Sequence, residues 1–147
     1  MRERLYKVSC SFNGWMLVAA SLALLLLPIT WVIAWGISVL VHECGHILAA
    51  GAMKVPIYRI RVGITGAKIE TGPMEPLQEL VCALAGPLAG YLLIVFGRWL
   101  PLTALFAFFH TLWNLIPIGT LDGARVLRSI SALNRKIPCK PAVEQVQ

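Results

Sequence analysis

The chain is short of charge. Of its 147 residues 14% are Asp, Glu, Lys or Arg, where soluble domains carry about a quarter. With 58% hydrophobic residues and a mean hydropathy of +0.74, that deficit argues against a soluble enzyme and assigns much of the surface to lipid. The chain also lacks C-x-x-C spacing. Cys10, Cys44, Cys82 and Cys139 are scattered, so neither a zinc ribbon nor a disulfide framework is indicated, and isolated core thiols are the reading left. There is no basic groove interleaved with aromatics, so the net charge of +6 does not call for nucleic acid as a partner. No internal repeat or low-complexity tract is present. The basic start "MRERLYK" and the apolar run behind it imitate a secretory signal, but no small-x-small cleavage site in a polar setting follows. The apolar run resumes in "PITWVIAWGISVLV", so the first segment reads as a retained anchor.

What the chain has in abundance is apolar sequence. Four segments, about 11–28, 31–52, 78–97 and 101–121, predict an all-α polytopic membrane protein of one domain, 1–147, since crossing a bilayer takes about 20 helical residues. Pro28 splits what is otherwise one apolar stretch of about 40 residues, because proline cannot continue a helix without losing a hydrogen bond. Trp15, Trp31, Trp35 and Trp99 fall near the proposed ends, as interfacial tryptophans do. Between the second and third spans "KVPIYRIRVGITGAKIETGPMEP" alternates at Ile57, Arg59 and Arg61 and carries Gly63 and Gly66, which predicts a short β-hairpin or membrane-edge loop. The tail, 123–147, places Val126, Leu127, Ile130 and Leu133 at helical spacing beside Arg125 and Arg128. It reads as an amphipathic helix on the membrane, then a Pro-containing disordered end. Twelve of the thirteen Lys and Arg residues fall in the N-terminus, the central loop or the tail, and only Arg98 falls opposite. The positive-inside rule then puts both termini and the loop in the cytoplasm, against anionic lipid.

Inside the second span stand His42, Glu43 and His46. Residues four apart share a helix face, so His42 and His46 can aim both imidazoles at one metal ion, with Glu43 one position round. This H-E-x-x-H arrangement suits catalytic zinc, one ion per chain. Such a site takes three protein ligands and a water, with the glutamate as the base that deprotonates the water. The competing reading is a pair of hydrogen-bonded core histidines with a neutral Glu43, but ionisable residues within a span are rare and usually functional. Gly45, between the histidines, costs up to ~1 kcal/mol of helix propensity and lets another helix or a substrate approach.

A third ligand is needed, and His110, Asp122, Glu70 and the Glu75/Glu79 pair are candidates. At 1.5 Å per residue His46 lies about 9 Å and His42 about 15 Å from the cytoplasmic end of the second span. Asp122 closes the fourth span at that end and fits best, and His110, near mid-membrane, is second. Around Asp122, "NLIPIGTLDGARVL" carries Pro117 and Gly119, which must break the helix, and Gly123, which lets the backbone turn after the aspartate. A straight helix from Pro101 would carry Asp122 about 31 Å down, slightly too far, so tilt is required.

"HECGH" and "NLIPIGTLDG", with a middle helix carrying "ALAGPLAG", resemble the site-2 protease family of intramembrane zinc metallopeptidases. Over about residues 12–128 the chain looks most like the compact sporulation stage IV FB-like branch, whose members lack a PDZ domain. The resemblance implies zinc ligands at His42, His46 and Asp122, Glu43 as catalytic base, and Asn114 steadying the substrate or the tetrahedral intermediate. It implies regulated intramembrane proteolysis of a membrane-protein substrate in a bacterial plasma membrane. Two positions depart from the family pattern: Gly90 stands where asparagine is common, and Thr120 where proline is common before "LDG". The early end of the chain leaves gating to a homo-oligomer or a regulatory membrane partner. The rival readings are a zinc transporter or metal-responsive membrane protein, and an inactive relative that binds membrane helices.

Overall fold

The computed structural model describes residues 9–12, 14–63 and 66–135. Among these, strand β1 (Ser9–Phe12) leads into helices α1 (Gly14–Leu26) and α2 (Ile29–Ala52). Strands β2 (Ile57–Gly63) and β3 (Gly66–Thr71) follow, then helices α3 (Pro76–Val95), α4 (Pro101–Asn114) and α5 (Asp122–Arg135). A 3₁₀ turn, Phe96–Arg98, extends α3. The expected disordered end and the basic N-terminal residues lie outside the described residues.

The helices are apolar outside and small or polar inside. On α2 the buried residues are Ala34, Ser38, His42, His46 and Ala50, each four residues from the last, while Ile33, Ile37, Leu40 and Leu48 face outward, Leu48 with 72% of its surface exposed. In water the hydrophobic effect would turn such a helix the other way round. In lipid small residues let backbones approach and polar side chains find each other. α2, and α3 with its 3₁₀ turn, are long and apolar enough to cross a bilayer.

Two of the four expected spans are shorter than predicted. The segment 11–28 holds a helix of 13 residues and 101–121 one of 14, about 20 Å each against a hydrocarbon core of about 30 Å. The causes are local. Ser9–Phe12 joins the sheet, pairing in parallel with β2, so α1 starts late and Pro28 ends it. α4 stops at Asn114 because Pro117 has no N–H to continue the ladder, and Gly119, at φ +59°, turns the chain. The non-helical stretch 115–121 then carries the chain to Asp122, which removes the need for a 31 Å straight helix.

The expected hairpin is present: β2 and β3 pair antiparallel, with β1 on the other side of β2. α2 ends by Lys54 in the left-handed region, the Val55 N–H returning to the Ala50 carbonyl at 2.9 Å. α3 starts by a capping box, with Pro76 at its first position, Glu75 as cap and the Glu75 N–H donating to Gln78 Oε1 at 3.0 Å. Ala50, Val55, Met74 and Cys82 pack at this end. The tail forms α5, and its first residue is Asp122 itself.

Candidate metal centre

α2 brings His42 and His46 to one buried face, and α5 brings Asp122 to meet them. Asp122 Oδ2 lies 3.0 Å from His42 Nε2 and 3.1 Å from His46 Nε2, and the two Nε2 atoms are 3.2 Å apart. All three residues are buried, and together they could hold a metal ion. Ligands of a tetrahedral zinc at about 2.0–2.1 Å stand about 3.3 Å from one another, so an ion fits with an outward adjustment of a few tenths of an ångström.

Proton accounting supports a cation. The Cys82 carbonyl accepts from His46 Nδ1 at 2.7 Å, so Nδ1 carries the proton and a neutral His46 turns the lone pair of Nε2 toward Asp122 Oδ2. Two acceptors then face each other at 3.1 Å, an arrangement that a cation or a second proton relieves. Asp122, outside the two span-length helices, is held as the carboxylate. Burial raises its pKa, but with the second proton on the facing imidazoles their hydrogen bonds and charge outweigh burial and keep it below the usual range.

The cradle is shaped by glycine. A methyl group on Gly86 of α3 would overlap His46 Nε2 and Cε1, so only glycine lets α3 pass beneath the imidazoles. Gly45 has the complementary role: its Cβ would stand 2.5 Å from the Ala85 carbonyl oxygen and 2.8 Å from Ala89 Cβ, so the approach it permits is that of α3. Gly123 is helical and does not turn the chain. A Cβ there would overlap the Leu115 carbonyl, so its glycine seats α5 against the end of α4.

The other carboxylate candidates are engaged elsewhere. Glu70 pairs with Arg61, Glu75 caps α3, and Glu79 accepts from Arg125 Nε at 2.8 Å. Arg125 Nη1 in turn lies 3.5 Å from Asp122 Oδ1, so the two oxygens of Asp122 are divided between the arginine and the imidazoles. His110 stands beside the cluster, its ring centroid 4.7 Å from that of His42. Asn114 Nδ2 donates to the His110 carbonyl at 3.0 Å and lies 3.2 Å from His110 Nε2, so both amide hydrogens turn to His110. Glu43 is half-buried, next to His42 on α2. Sequence reasoning missed Arg125, the Cys82 carbonyl and Ser38. Only Ser38 had a signal, since Ser38, His42 and His46 form a polar stripe at steps of four.

No protein-family model matches the sequence, and no curated protein matches it. Among solved structures the chain is similar to the site-2 protease from Methanocaldococcus jannaschii, at 26% identity and a TM-score of 0.65. The match covers 81% of this chain and 63% of that one, so the chain spans under two thirds of the length of this relative. This protein is a structural homologue of a site-2 protease, and it carries a buried two-histidine, one-aspartate cluster that could hold a metal ion.

Proposed function

We propose that this protein is an intramembrane zinc metalloendopeptidase of the compact, sporulation stage IV FB-like branch. Its reaction is hydrolysis of a peptide bond in or next to a transmembrane segment of a membrane-associated protein. The observation that carries this reading is the convergence of His42 Nε2, His46 Nε2 and Asp122 Oδ2, buried among helices whose outer faces are apolar. These atoms would hold one zinc ion, which when bound polarises a carbonyl and lowers the pKa of a water to about 7.

The chain's own groups do the rest. The Cys82 carbonyl holds His46 in one tautomer, and Arg125 holds the far oxygen of Asp122. Glu43 is the base that takes the proton of the attacking water and passes it to the leaving amine. Asn114 positions the substrate, through Oδ1 or through an amide hydrogen released from His110. A transmembrane substrate hides its carbonyls in its own hydrogen bonds and must unwind to reach the site. An extended segment pairs with the outer edge of β3, because both edges of β2 are taken.

In the bilayer α2 and α3 cross, and the shorter α1 and α4 are embedded beside them within one domain. The sheet and α5 share the end that carries Arg59, Arg61, Arg125 and Arg128, and Arg98 lies at the other end. We assign the basic end to the cytoplasm of a bacterial plasma membrane. The exposed Leu127, Ile130 and Leu133 of α5 rest in the interface there.

The test is purified wild type against Glu43→Gln in liposomes with a membrane-helix substrate. Zinc retained by both with cleavage lost in the variant supports the protease. Zinc flux without cleavage makes the protein a transporter, and equal cleavage by both removes Glu43 from the mechanism.

A further inference from the structure

The two histidines are not held alike. His46 gives its Nδ1 proton to the Cys82 carbonyl, but His42 Nδ1, across the ring from Asp122, is buried with no hydrogen-bond partner. Among the described residues two other buried side-chain atoms share that condition, Ser38 Oγ and Thr111 Oγ1. The three belong together. Ser38 lies one turn before His42 on the same buried face of α2. Thr111 comes from α4 and sits against Gly90 of α3, where a Cβ would touch Thr111 Oγ1 and stand 3.8 Å from His42 Nδ1. The bare backbone of Gly90 therefore lets the Thr111 hydroxyl approach the side of α3 that faces His42 Nδ1, where three helices meet. Relative exposure is 1% at Ser38, 1% at His42 and 9% at Thr111, so bulk water does not reach these atoms.

We propose that Thr111 is the positioning residue for His42. The Nδ1–H donates to one water, and that water donates to the hydroxyl oxygens of Thr111 and Ser38. A buried water typically makes about three hydrogen bonds, and the three orphaned atoms are its partners. An imidazole that ligates a metal through one nitrogen donates its other N–H to such a partner, which fixes ring and tautomer. His42 Nε2 is then left unprotonated toward Asp122, as His46 Nε2 is by Cys82. Gly90 admits the Thr111 hydroxyl to this arrangement.

The proposal rests on the metal reading, and zinc titration of the purified full chain separates the two. Wild type is expected to bind one zinc in competition with a chelator. Thr111→Val is expected to weaken zinc about 10- to 100-fold while leaving the melting of the metal-free protein in place, and Thr111→Ser to restore the affinity. If wild type binds zinc and Thr111→Val binds it equally well, the role of Thr111 is overturned and the metal centre stands. If wild type binds none, both are overturned. Should Thr111→Val not fold, Ser38→Ala carries the test: weakened zinc binding supports the shared water, and unchanged binding overturns it.

Discussion

His46 donates its Nδ1 proton to the Cys82 carbonyl at 2.7 Å and meets Asp122 Oδ2 with its other nitrogen at 3.1 Å. One imidazole thus ties α3 to α5 through α2, and the tie leaves an acceptor facing a carboxylate. Metal binding is therefore expected to be linked to fold stability. Zinc at a hundred times its dissociation constant should stabilise the protein by about 2.7 kcal/mol, read as a rise in melting temperature that a chelator reverses. Asp122→Ala should show no such rise.

Arg125 is expected to act through Asp122. It sits between Glu79 Oε1 at 2.8 Å and Asp122 Oδ1 at 3.5 Å, all partly or wholly buried. Arg125→Ala frees the carboxylate to rotate and should weaken zinc about 10-fold or more, with Arg125→Lys intermediate, because an ammonium makes a single-point contact. Chelator competition measures both.

Glycine substitutions should separate the cradle from the helix packing. Gly86→Ala puts a methyl group on His46 Nε2 and should abolish zinc binding. Gly45→Ala pushes against the Ala85 carbonyl and should cost about 1–3 kcal/mol of stability, as overpacking does, with a smaller effect on zinc. Denaturation and zinc titration of the two variants, side by side, check the distinction.

Much of the site was legible because helical periodicity is rigid. Spacing of four put His42 and His46 together, and the cost of ionisable groups in an apolar run pointed to a function. Asp122 is also the chain's single aspartate, which narrows the carboxylate choice. Span lengths were less legible, since hydropathy does not see where a helix stops. The apolar run continues through 115–121 although the backbone has already unwound after Asn114. β1 was hidden for a related reason: "SCSF" pairs with a strand some 50 residues away, a contact that local pattern cannot encode. Gly86 and Gly123 likewise look like any membrane glycine until the atoms they avoid are in place.

X-ray absorption of the zinc-loaded protein tests the central claim most directly. The account predicts one zinc per chain with nitrogen and oxygen neighbours at about 2.0–2.1 Å, and loss of the bound zinc in Asp122→Ala. A sulfur neighbour at about 2.3 Å, from Cys44 or Cys82, or full zinc occupancy in Asp122→Ala, would contradict it.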